Sequence, residues 1–157
     1  MPFIELDSLI EQESGLTLNL IFDFHGQSGF RRLERQCLED MIRRYPRFVI
    51  GTGGSLVYEP ATFDRLLSSC FTVWVRASAE EHMRRVIAQG DMRPMSHNRD
   101  AMSDLQRILT EREVFYSTAD LQVDTTGQTF EQSLETLIHA LREAPLREPM
   151  AQVVSSQ

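Results

Sequence analysis

Residues 47–76, RFVIGTGGSLVYEPATFDRLLSSCFTVWVR, run from one apolar stretch through a glycine turn and an amphipathic segment into a second apolar stretch. The two ends, RFVIGT (47–52) and CFTVWVR (70–76), are rich in β-branched and aromatic residues and lack a polar face, which predicts strands covered on both sides. Between them, Pro60 at a first-turn position followed by Phe63, Leu66, Leu67 and Cys70 predicts a helix. Working outward, PFIEL (2–6) and LQVDT (121–125) predict two further strands. From Ser28 to Tyr45, Phe30, Leu33, Cys37, Met41 and Tyr45 recur at spacings of three and four, while Arg32, Arg35, Glu39 and Arg43 fall elsewhere, so this segment predicts a helix with one buried stripe. Ser78 followed by Glu81 forms a capping box, and Glu80–Arg84 and Glu81–Arg85 are i,i+4 pairs, so a helix is expected directly after the third strand. Strands alternating with helices predict an α/β fold, a three-layer parallel sheet with helices on both faces.

The span AQGDMRPMSHNRD (88–100) holds turn formers and charge without periodicity and reads as a mobile loop or lid. One domain is expected over 1–144, followed by a flexible tail at 145–157 with two prolines and a polar end. A length of 157 residues suits a single core. The longest apolar run, CFTVWV, is too short to span a bilayer, and the acidic start MPFIELD is unlike a secretory signal. A net charge of −7 argues against gripping a nucleic-acid backbone through this segment. Cys37 and Cys70 share no C-x-x-C motif and sit among apolar residues, which suggests buried thiols in a reducing compartment, hence the cytoplasm.

Several residues carry candidate chemistry. Glu5 and Asp7 stand at the end of the first strand, where open parallel sheets gather ligand groups; solvation of the strand end and capping of the next helix is the alternative. Met102, Leu105, Leu109, Arg112 and Tyr116 share one helical stripe, which places the Arg112 guanidinium on an apolar face. A cation there needs a partner, either a structural carboxylate such as Glu34 or Asp7 or an anionic ligand. Arg31, beside Phe30, poses the same question, and an arginine fork suits a carboxylate. GTGGS (51–55) offers backbone N–H groups with little Cβ obstruction, for an anion or for a turn. Arg93 in the lid-like span reads as solvated or as phosphate-directed. His25, His82, His97 and His139 show no metal-ligand spacing, and Trp74 reads as core. No residue is lysine and no stretch reads G-x-x-x-x-G-K-[ST], so the signature of a phosphate-cradling P-loop is missing.

As an ordered set, FIELD, GQSGFRRLE, GTGGSLV, VRASAEEHMRRV, DMRP, EREVFY and VDTTG resemble the shikimate kinase family over residues 2 to about 141. The resemblance implies a P-loop kinase fold, with the positions of Asp7, Arg31, Gly53, Gly54 and Arg112 holding shikimate. It also implies a magnesium-proximal carboxylate at Glu5, where the family usually has aspartate, and a nucleotide-binding arginine at Arg93. Ser55 departs from the family's third glycine. By this resemblance the family's first strand, P-loop and first helix are expected to be missing. The missing strand would be central in the order 2-3-1-4-5, so the strands at 47–52 and 70–76 either pair directly or leave a gap.

SSCFTVWVRASAEEHMRRVIAQGDMRPMSHNRDAM (68–102) looks closer still to the shikimate-kinase-like C-terminal domain of helix-turn-helix regulators of benzoate degradation. That resemblance implies an effector domain for transcription regulation in aromatic compound degradation, sensing an aromatic acyl-CoA such as benzoyl-CoA, with a DNA-binding domain preceding it. The competing reading is a shikimate kinase of aromatic amino-acid biosynthesis, ATP-dependent and not competent as given, with Asp7 catalytic. On that reading ATP and Mg²⁺ are required once a P-loop is restored, whereas no cofactor is expected for the chain as it stands. A third reading is an inactive kinase fragment held by a partner or by homodimerisation. The expected ligand is a small aromatic or alicyclic acid or its CoA thioester, with no membrane partner.

Overall fold

The computed structural model describes residues 1–88 and 101–145. The lid-like span, Arg93 and the tail beyond residue 145 lie outside the described residues. The chain divides into two compact units, Met1–Cys70 and Phe71–Leu146.

In the first unit, β1 (Phe3–Glu5) runs without a loop into α1 (Leu6–Ser14), which ends at Gly15 in a left-handed conformation with its N–H on the Glu11 carbonyl at 2.9 Å. Thr17 caps α2 (Leu18–Arg44), accepting from the Leu20 N–H at 3.4 Å, and the Glu11 carboxylate accepts from the Leu18 N–H at 2.8 Å. These two acceptors satisfy N–H groups that a helix start leaves open. α2 kinks at Gly26 (φ 64, ψ −175), and the Phe22 and Phe30 rings meet across the kink with centroids 4.8 Å apart. β2 (Val49–Gly51) pairs in parallel with β1 in the register Phe3↔Val49, Ile4↔Ile50, Glu5↔Gly51. A 3-10 turn (Leu56–Tyr58) leads to α3 (Pro60–Ser69), which starts on its proline as expected. Leu6, Ile10, Ile21, Phe30, Cys37 and Leu56 form the core, with Leu33, Ile50, Phe63 and Leu66 packed against it. The Ser28–Tyr45 stripe therefore does face inward at Phe30, Cys37 and Met41, and the helix that carries it begins ten residues earlier than its stripe.

In the second unit, β3 (Val73–Arg76) pairs in parallel with β4 (Leu121–Asp124), Val73 opposite Leu121. Each end of the pair is stitched by side chains. At one end the Asp120 carboxylate accepts from the Thr72 N–H at 2.8 Å and from its hydroxyl at 2.9 Å. At the other, the Thr125 hydroxyl donates to the Arg76 carbonyl at 2.9 Å and the Thr126 hydroxyl accepts from the Ser78 N–H at 3.1 Å. α4 (Ala79–Ala88) starts at Ser78, whose hydroxyl accepts from the Glu81 N–H at 3.3 Å. α5 (Ala101–Tyr116) follows, and Met102, Leu105, Leu109, Arg112 and Tyr116 are all half-buried on it, the face that the spacing predicts. Trp74 packs on Tyr116 at 5.5 Å, half-buried. α6 (Phe130–Glu143) closes the unit behind a capping box of Thr129 and Gln132.

The expected fold without its first strand and first helix is corrected. β1 and α1 stand at the head of the chain, and β1 has a ladder partner in β2 along its whole length. Of the two outcomes expected for the strands at 47–52 and 70–76, direct pairing is not what the ladders show: Val49–Gly51 pairs with Phe3–Glu5 and Val73–Arg76 with Leu121–Asp124, each in a two-stranded sheet, so the two strands do not bond to one another. Each strand thus has a ladder partner of its own unit on one edge.

Candidate active site

The junction of β1 with α1 and the middle of α2 bring ionisable side chains together in the first unit. Asp7 lies in the first turn of α1, two residues beyond the end of β1, where the sequence places it at the strand end. Its carboxylate faces the turn after β2: a Cβ built on Gly53 would lie 3.7 Å from both Asp7 oxygens, an ordinary contact distance. Gly54 is exposed in the same turn, which is held by the Leu56 N–H on the Gly53 carbonyl at 3.2 Å.

Arg31 comes from α2, just past the kink, with its side chain 10% exposed. Its Nη1 donates to Glu34 Oε2 at 2.7 Å, one turn along the same helix. Its Nε is buried without a hydrogen-bond partner, and Glu59 Oε1 stands 3.9 Å from it, within ion-pair range but outside hydrogen-bond reach. Glu34, offered by the sequence as a partner for Arg112, is thus engaged by Arg31. The i,i+3 spacing of Arg31 and Glu34 was the available signal. Glu59 has no comparable local signal.

Burial dominates the electrostatics. The Asp7 carboxyl is raised above its ordinary value, first by desolvation and then by the Glu11 charge, with the Arg31 cation pulling the other way. Glu34 is also raised, because burial outweighs its hydrogen bond to Arg31. Glu34 and Glu59 thus stand within ion-pair range of one guanidinium, whose charge also reaches Asp7. An acid held so is poised to accept a proton from a bound hydroxyl nearer neutrality than a solvated aspartate would be.

Glu5 ends β1 and lies over Gly51: a Cβ there would meet its Oε2 at 2.5 Å. Among the described residues no group of three or more His, Cys, Asp or Glu side chains is arranged to hold a metal ion. Magnesium in phosphoryl-transfer sites takes one or two carboxylates and completes its shell with phosphates and water, so Glu5 fits that chemistry by residue type. Arg112 lies on α5 in the second unit. Cys37 is buried and Cys70 half-buried, both as free thiols, and burial with the nearby Glu13 and Asp40 charges pushes the Cys37 thiol up to about 11. Among the described residues no helix is long and apolar enough to cross a membrane.

Comparison with known proteins places this geometry. The family model for shikimate kinase matches residues 1–142. A shikimate kinase of Francisella tularensis subsp. holarctica is 33% identical over 130 residues, covering 82% of this chain and 73% of its own. One of Synechococcus sp. is 34% identical over 149 residues, covering 92% and 78%. Among solved structures, the Acinetobacter baumannii shikimate kinase in complex with shikimate superposes with a TM-score of 0.75 at 25% identity, over 90% of this chain and 78% of that one. The Bacteroides thetaiotaomicron enzyme gives a TM-score of 0.78 at 24% identity, over 90% and 82%, a likeness of fold.

These matches overturn the reading as a regulator of benzoate degradation, and with it the benzoyl-CoA and transcription-regulation expectations. The likeness of residues 68–102 to such regulators is a local one, while matches along nearly the whole chain are to kinases. The expectation of a chain not competent as given is also set aside: it rested on a missing signature, whereas the N-terminal strand and helix are in place and solved kinases superpose over 90% of the chain. The chain belongs to the shikimate kinase family.

Proposed function

We propose that this chain acts as a shikimate kinase, transferring the γ-phosphoryl group of ATP to the 3-hydroxyl of shikimate. The observation that carries the reading is the buried Arg31 guanidinium, whose Nε lacks a hydrogen-bond partner, in the charge field of the desolvated Asp7 carboxylate. A guanidinium with a spare edge suits the substrate carboxylate, and Asp7 suits a hydroxyl. The same alicyclic acid is the ligand in the Acinetobacter relative.

In this reading Arg31 holds the carboxylate, Gly53 and Gly54 line the ring, and Asp7 takes the proton as the hydroxyl oxygen bonds to phosphorus and the bond to ADP breaks. ATP with magnesium would supply the phosphoryl group and part of its charge neutralisation, Glu5 being the residue that would serve the metal, and the position of Arg93 is the one the family resemblance gives to nucleotide binding. Shikimate-dependent release of ADP, followed in a coupled assay beside calorimetric titration with shikimate, tests the proposal. Neither turnover nor heat of binding from folded protein would reject it; heat without turnover would restrict it to the binding half.

A further inference from the structure

The substrate reading leaves two carboxylates of the Arg31 cluster without a role, the buried Glu34 and the more exposed Glu59, and Glu59 is the one free to move. It is the N-cap residue of α3, yet its side chain makes no capping hydrogen bond to its own helix. Instead Oε1 stands 3.9 Å from Arg31 Nε, with the side chain 41% exposed where that of Glu34 is 1% exposed. Arg31 is thereby asymmetric. Nη1 is committed to Glu34 by a short buried hydrogen bond, while the Nε edge has a counter-charge that hydrogen-bond geometry does not hold.

We infer that Glu59 is a specificity-determining residue: its carboxylate occupies the approach to the Arg31 Nε edge and must give way, or be tolerated, when a substrate carboxylate docks there. Two anions at one guanidinium edge repel, and Arg31 already carries the charge of Glu34 and Asp7 nearby. Glu59 therefore lowers affinity for charged acids relative to neutral analogues of the same shape, and it favours ligands able to replace a loose ion pair by a two-pronged hydrogen bond. Its exposure gives it room to swing into water, which the buried Glu34 lacks.

The inference rests on the reading of Arg31 as the carboxylate-binding group, and the test separates the two. Calorimetric affinities are measured for shikimate and for its primary amide with the wild-type chain and with Glu59→Gln, Glu59→Asp and Arg31→Met, each checked by thermal melting. Glu59→Gln is expected to tighten shikimate binding by about tenfold, the scale of one displaced charge pair, with less than about a twofold change for the amide. Glu59→Asp, which keeps the charge, should restore the wild-type ratio of acid to amide affinity. An unchanged or reversed ratio in Glu59→Gln, on a wild-type background that binds shikimate and loses it in Arg31→Met, overturns the role of Glu59 alone. If Arg31→Met binds shikimate as well as wild type does, or if wild type gives no heat, the carboxylate-binding reading falls and this inference with it.

Discussion

Arg31 and Glu34, one helical turn apart on α2, bury a charge pair at 2.7 Å with side chains 10% and 1% exposed. Desolvating both ions offsets much of their attraction, so the pair's value shows when one member is removed. Glu34→Gln keeps the shape but strips the short counter-charge from a buried guanidinium, leaving the looser Glu59 and the Asp7 charge. A destabilisation of about 3–5 kcal/mol is expected, seen as a fall in Tm of roughly 10 °C for a chain of this size. The double variant Arg31→Met with Glu34→Leu should recover much of that loss in stability while abolishing ligand binding. A double variant less stable than Glu34→Gln would show that the pair is held by more than its mutual charge.

The kink that carries α2 past Asp7 depends on Gly26. Its φ of 64 with ψ of −175 lies where essentially only glycine is found, and a Cβ there would meet nothing within 4 Å, so the cost of a side chain is conformational and not steric. Gly26→Ala should lose about 1–3 kcal/mol in a urea melt. Gly29→Ala fails for the opposite reason, since its Cβ would lie 2.3 Å from the Cβ of His25, and it should be the worse of the two. Equal stability of Gly26→Ala and wild type would mean that the two halves of α2 can straighten without loss.

Local signals carried the sequence reading as far as the elements and stopped at their pairing. The runs at 2–6, 47–52, 70–76 and 121–125 each contain the strand that forms, because β-branched residues covered on a face leave little alternative. The α5 stripe from Met102 to Tyr116 was equally plain. The spacing assigns no helix to the α1 segment, whose N-cap, Glu5, makes no side-chain hydrogen bond that would mark a start. Which strand pairs with which is a long-range choice that no spacing encodes. The site followed the same division: Arg31 and Glu34 share a helix and an i,i+3 interval, whereas Glu59 reaches Arg31 from another element and left no trace in the pattern. The regulator reading failed because a local likeness over residues 68–102 was weighed above the order of motifs along the whole chain.

Glu5 and Gly51 are opposed across the β1–β2 ladder, and the glutamate carboxylate fills the space that a Cβ would take, 2.5 to 2.9 Å from its position. The clash is with the far end of a flexible side chain, so Gly51→Ala should displace the carboxylate with little loss of stability, less than about 1 kcal/mol beyond the ordinary effect of the substitution. The expected signature is selective: a weaker magnesium dependence of turnover with unchanged shikimate affinity. A crystal structure of the variant with Glu5 still lying over residue 51, or a large drop in Tm, would show that the backbone and not the carboxylate gives way.

Asp7 makes stability depend on pH in a direction opposite to that of an ordinary salt-bridged carboxylate. Burial and the Glu11 charge raise its pKa in the folded chain, so the folded state binds the Asp7 proton more tightly than the unfolded state does. Its favourable contribution is therefore full below the unfolded value of 3.8 and is lost as pH rises through the raised folded value. Asp7→Asn removes the ionisation altogether. Relative to wild type its Tm should improve as pH rises above 3.8 and level off once the raised folded value is passed, while shikimate-dependent turnover falls by a factor on the order of 10² to 10⁴ through loss of the proposed general base. Glu34 titrates in the same sense and is itself raised by the Asp7 charge, so the difference between the two melts reports Asp7 together with its effect on Glu34. A difference that stays constant or narrows with rising pH would mean that the Arg31 attraction outweighs desolvation, and Asp7 would then be an anion at all working pH values and a poorer proton acceptor.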